Sequence, residues 1–543
     1  SMKNGENYNN SRRNFLKIIT TSLLAIPLLE ACKEKVVTLL IRLSGTNHIL
    51  GHRLRVKNFP KPTKEITVPY LIIGGGISGL SAARQLTKKG ITDFLMVELE
   101  DHLGGNSSNG ENQYSKYPLG AHYLPLPNLE DKALLQFLEE EKIIVGYDSK
   151  GFPKFDETQL TLAPEERLFY RNNWQEGVVP KEGNAAAEDQ EFVRFFKLMD
   201  GFRQQKDEKG RYWFTIPLAE SSQSKEVKAL DAMTMQQWFE SQNFTAKPLF
   251  DYIDYCCKDD FGLGIAYVSA YAGIHYFAAR KQNASEDHQD SVLTWPEGNS
   301  RLANHLKKYV KGKSIKNHLV FEIENDTHKA VAKVFDNETK TTIAITANKM
   351  ILATPQFVNQ YLLKDRKDLA SHFHYTPWLL ATLVVSDIND NGSFPLCWDN
   401  VIYGSKGLGY VYDQHQSLQQ LQDKKVITYY YSFSSADLKK TRREMYKKTT
   451  EYWKQMVFDD LKIAHPTIES LTESIEVHLL GHGMISPVPN FIFSDTKKDA
   501  AKPIDNTLFF AHSDVSGLSI FEEAFHQGIN AVNTMLNATT LDS

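Results

Sequence analysis

Three glycines and one carboxylate are the residues whose types and spacing most directly indicate chemistry. Gly74, Gly76 and Gly79 form a GxGxxG pattern directly after the apolar run 70–73. In such a pattern the first glycine permits a tight turn, the second lets the backbone approach a pyrophosphate, and the third lets a helix pack closely on the strand. Glu98 follows the next apolar run, at the distance where a carboxylate accepts hydrogen bonds from ribose hydroxyls. Together these residues predict a dinucleotide site.

The same pattern predicts where the first helix begins. Ile77 and Ser78 open this helix, whose N-terminus offers free N–H groups and the positive end of its dipole to a phosphate. A glycine-rich turn that serves packing alone is the alternative. The preceding strand, Glu98 and a second glycine pair, Gly104 and Gly105, favour the dinucleotide.

The residues after Glu98 distinguish FAD from NAD. Residues 98–106, ELEDHLGGN, resemble the EARDRLGGR pattern of the flavin-containing amine oxidase and phytoene desaturase superfamily. The resemblance implies FAD, with Leu99 at the cofactor and the pair Gly104 and Gly105 under the diphosphate and ribityl chain. The superfamily's frequent arginine after this pair is Asn106 here, so a cationic contact often made at that point is absent.

The far end of the chain resembles the same superfamily. Residues 507–517, TLFFAHSDVSG, and the helix that follows them resemble its LFFAGE…EGAxxSGxxAA ending. The resemblance implies that Asp514 contacts the ribityl hydroxyls and that the helix start, with Ser519 and Phe521, faces the flavin ring. His512 replaces the usual glycine and the acid is displaced, and an aspartate before a helix also serves as a simple cap.

Two middle segments complete the expected cofactor contacts. Residues 295–302, WPEGNSRL, resemble a superfamily segment that precedes a strand meeting the adenine, which places Val320 near the base. Residues 349–355, KMILATP, resemble the strand that returns to the sheet, which places Ala353 at the cofactor.

Polar residues in aromatic or apolar surroundings are the candidates for the substrate face. They are Gly120, Ala121, His122 and Tyr123 in a loop that often passes close to the flavin in this superfamily, Trp398, Tyr410 and His415 near the ends of predicted strands, and His482 between two glycines. For the aromatic and histidine side chains, sheet packing or a structural role is the alternative. Asp259 and Asp260 are predicted to lie at a solvated turn, although two carboxylates could also attract a cationic amine.

The elements that position these residues predict an α/β fold, α+β overall. We expect a Rossmann-type FAD-binding domain built from the discontinuous segments 68–146, 291–358 and 500–538. It is interleaved with a substrate domain of mixed β-sheet and helices, residues 147–290 and 359–499. Residues 33–67 are predicted to form a tether or arm, because they mix a short apolar piece with polar and proline-containing sequence.

The N-terminal residues predict export. Residues 11–17, SRRNFLK, match the twin-arginine pattern and precede an apolar run, 18–29, that is too short for an ordinary spanning helix. Residues 29–32, LEAC, resemble a lipoprotein cleavage box. We therefore expect residues 1–32 to be a twin-arginine, lipoprotein-type signal, with a periplasmic protein anchored to a membrane by acyl chains on Cys32. A basic patch before an apolar helix is the alternative.

Composition excludes several other functions. The 543 residues carry a formal net charge of −4 without an extended basic field, so nucleic acid is not an expected partner. Cys256, Cys257 and Cys397 lack CxxC spacing and are expected to be free and buried. No cluster has metal-ligand spacing, and the GxSxG nucleophile pattern is missing, so we expect neither a metal site nor a serine hydrolase.

The leading hypothesis is an exported, amine oxidase-like FAD-dependent oxidoreductase. It would transfer a hydride from a carbon next to an amine, for example in a polyamine, to flavin N5. Two alternatives stay open: a desaturase or isomerase of a lipid or polyene, and a non-catalytic flavoprotein partner in an envelope assembly. Many amine oxidases hold a lysine near N5 through a water, and no motif here marks its equivalent.

Overall fold

A computed structural model describes residues 39–281, 284, 285, 288, 290–386, 388, 394–416 and 423–541. The predicted signal, residues 1–32 with Cys32, lies outside the described residues, as do residues 33–38 of the predicted arm. Among the described helices, none is long and apolar enough to cross a membrane.

A mixed sheet of seven strands carries the glycine pattern. Its strands are Ser314–Ile315, Leu95–Val97, Pro62–Ile73, Thr341–Leu352, Ala330–Asp336 and His318–Asn325 in spatial order, with Leu508–Phe510 also paired to Thr341–Leu352. Four of these strands, Leu95–Val97, Pro62–Ile73, Thr341–Leu352 and Leu508–Phe510, run parallel to one another, and Leu352 lies opposite Ile73. Leu71 and Ile72 are successive residues of the central strand, so their side chains point to opposite faces of the sheet. Both are fully buried, each in a different core cluster, because both faces of the sheet are covered.

The first and last helices of this unit pack directly on one another. The Ser78 hydroxyl in helix Ile77–Lys88 donates to the Ala524 carbonyl of helix Phe521–Leu541 at 2.9 Å. A Cβ built on Gly528 would lie 2.3 Å from the Ser78 carbonyl oxygen, so glycine is needed where the helices cross. Distant segments thus complete one Rossmann-like unit, which confirms the predicted fold class.

A second sheet of eight strands forms the frame of the other unit. Its order is Leu40–Gly45, Thr472–Ile485, Tyr375–Ser386, Lys424–Ser432, Tyr410–Tyr412, Asp399–Ile402, Glu166–Tyr170 and Asn173–Glu176. Three small two-stranded sheets pair Asn109–Glu111 with Lys116–Pro118, Tyr123–Pro125 with Val292–Thr294, and Ile144–Tyr147 with Pro153–Phe155. The central strand Tyr375–Ser386 is buried along almost its whole length.

The other described helices pack on the first sheet, on the second sheet or in a separate cluster. The aromatic-rich helical cluster comprises Ala186–Gln204, Lys225–Asp231, Met235–Ser241, Lys247–Phe261 and Ala270–Ala278. The remaining α-helices of the described residues are His48–His52, Lys132–Glu140, Ser300–Lys307, Gln356–Leu362, Lys367–Ser371, Leu438–Met445, Thr450–Leu461, Ile468–Leu471 and Asp495–Ala501. Cys256, Cys257 and Cys397 are free and buried, as predicted.

The described part of the predicted arm is folded into the molecule. Leu40–Gly45 pairs in parallel with Thr472–Ile485, and residues 62–67 extend the central strand of the first sheet. The sequence suggested a tether because this stretch is polar and contains prolines. Its backbone is nevertheless held by two sheets, which corrects that expectation for residues 40–67.

Candidate functional site

A long cavity, called the cradle below, follows the carboxyl ends of strands Pro62–Ile73, Leu95–Val97 and Thr341–Leu352. Open α/β sheets bind their ligands at this edge. The predicted cofactor residues that line the cradle are Gly74, Gly76, Glu98, Leu99, Gly105, Asn106, Val320 and Ala353. Ile77, Ser78 and Gly79 form the first helical turn beside the cradle, and Gly104 directly precedes a lining residue. The structure therefore brings together most of the cofactor positions predicted from sequence.

The glycines divide into those required by packing and those that leave the backbone bare. A Cβ on Gly79 would lie 1.9 Å from the Gly74 carbonyl oxygen, so Gly79 allows the helix to pack against the turn. Gly76 and Gly105 instead face each other across the cradle edge: a Cβ on Gly105 would lie 3.1 Å from the Gly76 Cα. Bare backbone from two turns fits a diphosphate group.

Glu98 is held in place by backbone donors. Its Oε1 accepts a hydrogen bond from the Gly75 N–H at 3.1 Å, and its Oε2 accepts one from the Glu100 N–H at 3.1 Å. Burial raises the pKa of Glu98, although these two hydrogen bonds oppose the shift. Each carboxylate oxygen keeps a further acceptor site, so the ribose contact predicted from sequence fits this geometry.

Asn106 connects the two sheets at the end of the cradle. Its Nδ2 donates to the Gly483 carbonyl at 2.6 Å, and strand Thr472–Ile485 of the second sheet carries that carbonyl. Asn106 lines both the cradle and the next cavity. A neutral amide therefore occupies the position where the superfamily often has an arginine.

Asp514 is not at the cradle. It is fully buried, and its Oδ2 accepts hydrogen bonds from the Tyr375 hydroxyl at 2.6 Å and the Gln356 N–H at 2.7 Å. The carboxylate thus caps helix Gln356–Leu362 and ties it to the second sheet, which corrects the expected ribityl contact. His512, two residues earlier, lines the cradle instead.

A second cavity, called the chamber below, opens beyond Asn106 and Leu480, which line both spaces. Its wall contains the predicted residues Gly120, Ala121, His122, Tyr123, Ser519 and Phe521, and it continues past Tyr123 and Ile520 to Trp398. Two buried polar atoms in this wall, Trp378 Nε1 and Asn299 Oδ1, have no hydrogen-bond partner within the described part of the chain. Unsatisfied buried donors and acceptors of this kind fit a polar ligand.

An aromatic cluster forms one side of the chamber. The His122 ring centroid lies 4.6 Å from that of Tyr430 and 4.9 Å from that of Tyr123, and Trp398 meets Tyr123 edge to face at 5.7 Å. The Tyr430 hydroxyl donates to the Gly120 carbonyl at 3.0 Å and thereby fixes the loop. Burial lowers the pKa of His122 to about 3, so its imidazole is neutral and does not repel a cation.

Four carboxylates also line the chamber: Glu166, Asp259, Asp260 and Asp399. Burial, together with neighbouring carboxylates, raises the pKa of Asp259 and of Glu166 to about 7. Burial and the charges of Glu166 and Asp259 also raise the pKa of Asp399 well above its usual range. These groups repel one another, and a positively charged ligand would relieve that repulsion.

The cation Arg280 lies near one end of this cluster. Its guanidinium pairs with Glu522, a nearly fully buried residue at the start of helix Phe521–Leu541. Burial raises the pKa of Asp260 to about 6, and the Arg280 charge opposes that shift. Glu166, Asp259 and Asp399 form no ion pair with a cation within the described residues, so the far end of the chamber holds three carboxyl groups without a cationic partner.

Three of the predicted substrate-face residues lie elsewhere. Tyr410 is buried in the second sheet, where its hydroxyl contacts Arg167 at 2.9 Å and His465 at 2.7 Å, because the sheet core needs a partner for that guanidinium. The His415 Nε2 accepts from the Leu162 N–H at 3.1 Å in a separate small cavity. His482 lines the cradle, stacked on Phe357 with ring centroids 3.7 Å apart, and not the chamber.

The acidic residues were the main functional feature that sequence reasoning undervalued. Asp259 and Asp260 lie on the last turn of helix Lys247–Phe261 and not on a solvated turn. Glu166 and Asp399 begin adjacent strands that pair in parallel, a long-range contact that no local pattern shows. The only local signal was the pair of adjacent aspartates after two buried cysteines.

Two kinds of group are absent from the described residues of this site: a lysine and a cluster of metal ligands. Among the described residues that line the cradle and the chamber there is no lysine. Within the described part of the chain, no group of three or more His, Cys, Asp or Glu side chains is arranged to hold a metal ion.

Comparisons with known proteins agree with this geometry. Residues 72–140 match a family model described as an NAD(P)-binding Rossmann-like domain. The flavin-containing amine oxidase of Oncorhynchus mykiss is 30% identical over 122 residues, which are 21% of this chain and 23% of that protein. The chain thus matches less than a quarter of this curated relative's length.

Solved structures resemble a much larger part of the chain. Putrescine oxidase bound to putrescine covers 87% of this chain and 100% of its own, with a TM-score of 0.61 and 14% identity. Cyclohexylamine oxidase from Brevibacterium oxydans covers 87% and 99%, with a TM-score of 0.62 and 13% identity. At these identities the likeness shows a shared fold.

Proposed function

We propose that this chain, which has a Rossmann-like dinucleotide-binding segment and the fold of the flavin-containing amine oxidases, binds FAD and oxidises an amine that carries a second positive charge. The observation that supports the proposal most is the acidic chamber next to the cradle. The match to an amine oxidase and the fold of a putrescine oxidase agree with it. An extended diamine or polyamine is the substrate class that fits.

The cradle residues fit FAD. Gly76 and Gly105 leave bare backbone for the diphosphate, Glu98 offers acceptors to the ribose, and Val320, which also lines the cradle, would contact the adenine. FAD, when bound, supplies a ring that accepts a hydride equivalent. The reacting carbon would therefore lie in the part of the chamber between Ala121 and Phe521, which adjoins the cradle.

The chamber residues have two tasks in this reaction. Glu166 and Asp399, which line only the far part, would hold the distal ammonium of the substrate. Asp259 lines both parts, and its pKa of about 7 suits a group that accepts the proton of the reacting ammonium near neutral pH. The aromatic cluster of His122, Tyr123 and Tyr430 would contact the methylene chain and exclude water.

The balance of the reaction is simple. With FAD bound, the substrate ammonium would give one proton to Asp259 and a hydride equivalent from the adjacent carbon to the flavin, and would become a protonated imine. Water then hydrolyses the imine to a carbonyl compound and a free amine. The chain's own residues need only orient the C–H bond, keep the reacting nitrogen uncharged and exclude competing water.

The acidic chamber disfavours a lipid or polyene substrate. A fatty acid would place its carboxylate, and a polyene its apolar chain, against Glu166, Asp259 and Asp399, which already repel one another. Burying apolar surface beside ionised groups costs free energy, and burying a like charge costs more. The chamber therefore supports an amine over the desaturase and isomerase alternatives.

An anaerobic reduction experiment tests the proposal. Purified protein containing FAD is mixed under anaerobic conditions with 1,4-diaminobutane, spermidine, butylamine and a polyunsaturated fatty acid, and the flavin absorption band is followed. We expect the two polyamines to bleach the band. Protein that takes up no FAD, or FAD-loaded protein that none of the amines bleaches, would overturn the proposal.

Export is a further proposal that rests on residues 11–32. We infer that the twin-arginine pattern directs the folded protein out of the cytoplasm and that Cys32 carries the acyl anchor. Expressed from its own signal, the wild-type protein is expected in the membrane fraction and the Cys32→Ala variant in the soluble exported fraction. An unchanged distribution of Cys32→Ala would reject the anchor.

A further inference from the structure

Residues 40–59, called the covering segment below, form part of the cradle wall. From this segment the cradle is lined by Gly45, Thr46, Asn47, His48, Gly51, His52, Leu54 and Arg55. They line the same cavity as Gly76 and Gly105, the residues that leave bare backbone at the proposed diphosphate position. A cofactor in the cradle would therefore contact both the glycine turns and this segment.

The covering segment is firmly attached on both sides. Strand Leu40–Gly45 belongs to the second sheet, while Leu50 and Leu54 are buried in the core of the first. The Asn47 N–H donates to Glu100 Oε1 at 2.8 Å, and Glu100 also lines the cradle. The lining residues of the segment are thus fixed in position relative to the glycine turns.

The two arginines of its last turn have different surroundings. The Arg53 guanidinium stacks on Phe59 at 4.6 Å and on Phe335 at 4.5 Å, and donates to the Asn58 carbonyl at 2.8 Å. Arg55 lines the cradle and forms no ion pair with a carboxylate within the described part of the chain. Arg53 therefore has a packing role, whereas the Arg55 charge remains available to a ligand.

The field of Arg55 reaches other groups in the cradle. Burial and then the Arg55 charge lower the pKa of His52, and Arg55 contributes to the lowered pKa of His482, for which burial is the main cause. Glu98 and Glu100 are the acids among the lining residues, and both already accept backbone hydrogen bonds. Among the described residues that line the cradle, Arg55 is the only arginine or lysine.

We propose that Arg55, supported by His52, contacts the diphosphate of FAD and supplies the cation that is missing at position 106. Asn106 is neutral and its amide is engaged with the Gly483 carbonyl, so it cannot make the contact. A guanidinium matches phosphate oxygens in geometry and charge better than an imidazole does. This inference rests on the proposed binding of FAD to the cradle.

The affinity of the flavin-free full-length protein for FAD tests the inference. FAD binding is measured by titration for the wild type, Arg55→Ala, Arg55→Lys and Lys61→Ala, with riboflavin as a ligand that lacks the diphosphate. We expect Arg55→Ala to weaken FAD binding about tenfold, which corresponds to one charge-assisted hydrogen bond. Arg55→Lys should recover part of this loss, and riboflavin binding should not change.

Lys61→Ala is the matched control because it removes an exposed charge just beyond the covering segment and outside the cradle lining. Thermal unfolding of each flavin-free variant separates a contact from a folding defect. If Arg55→Ala binds FAD like Lys61→Ala, or weakens FAD and riboflavin equally, the inference is overturned while the proposed function stands. A wild type that does not bind FAD would overturn both.

Discussion

At the scale of single residues, the most informative groups are carboxylates that the fold forces together. Glu166, Asp259 and Asp399 all line the chamber, and burial and mutual repulsion raise the pKa of each. A protein gains nothing in stability from such a cluster. Its presence beside the cradle is explained if a cationic substrate neutralises it.

The cluster predicts a stability that falls as pH rises. Because the pKa of Asp259 is raised from its usual 3.8 to about 7, the folded protein binds more protons than the unfolded chain between these values. Stability is therefore lost as pH rises through about 7, and Asp259→Asn removes the loss.

We expect substrate-free Asp259→Asn to be more stable than the wild type at pH 8 by about 2 kcal/mol, with the difference disappearing near pH 4. Chemical denaturation at both pH values measures this difference. Glu165→Gln, which removes a neighbouring charge that does not line the chamber, is the control and should have a smaller effect. An Asp259→Asn variant that is less stable at pH 8 would show that the carboxylate is not strained.

At the scale of elements, the glycine turn decides whether the first helix can approach the sheet. Gly79 is surrounded by the Gly74 carbonyl and the Ala353 side chain, so a methyl group there must push helix Ile77–Lys88 outward. The N–H groups at the start of this helix would move away from the diphosphate position with it. Packing and cofactor binding are thus coupled through one residue.

Gly79→Ala is expected to weaken FAD binding strongly and to destabilise the protein by about 1–3 kcal/mol, the usual cost of overpacking. Gly201→Ala is the matched control, because Gly201 lies within helix Ala186–Gln204 with open space around it. That change should stabilise the protein by about 0.5–1 kcal/mol. Flavin content after purification and the unfolding midpoint are the two measurements, and full flavin content in Gly79→Ala would contradict the coupling.

The sequence predicted those elements that have a local signature. The GxGxxG turn, Glu98 and the strand of residues 349–352 were found because their patterns follow the period and turn chemistry of one strand or helix. The role of residues 40–67 was missed because the partners of that segment are strand Thr472–Ile485 and the cradle, far away in sequence.

The same difference between local patterns and distant partners explains the wrong predictions at the site. Asp514 lies in a family-like segment, but only the fold shows that Tyr375 and Gln356 donate to its Oδ2 and that His512 lies 3.2 Å from its Oδ1. Likewise, Tyr410 has the composition of a pocket residue, yet Arg167 and His465 bind its hydroxyl in the sheet core. Local sequence does not record which distant group satisfies a polar side chain.

At the scale of the whole molecule, two sheets built from interleaved segments place two cavities end to end. The cradle lies at the edge of the first sheet, and the chamber lies between the second sheet and the helical cluster. Asn106 and Leu480 stand where the two cavities meet. Under the proposed function, this arrangement would separate recognition of the cofactor from recognition of a distant charge on the substrate.

Single-turnover reduction of the bound flavin measures that recognition most directly. FAD-loaded protein is mixed under anaerobic conditions with 1,4-diaminobutane or with butylamine, which has the same carbon chain and only one amine. We predict that the diamine half-saturates the reduction rate at a concentration at least about tenfold lower, since a buried charge pair contributes that much. Glu166→Gln should abolish the preference and Glu165→Gln should keep it. Equal half-saturation by the two amines in the wild type would contradict a chamber that selects a second positive charge.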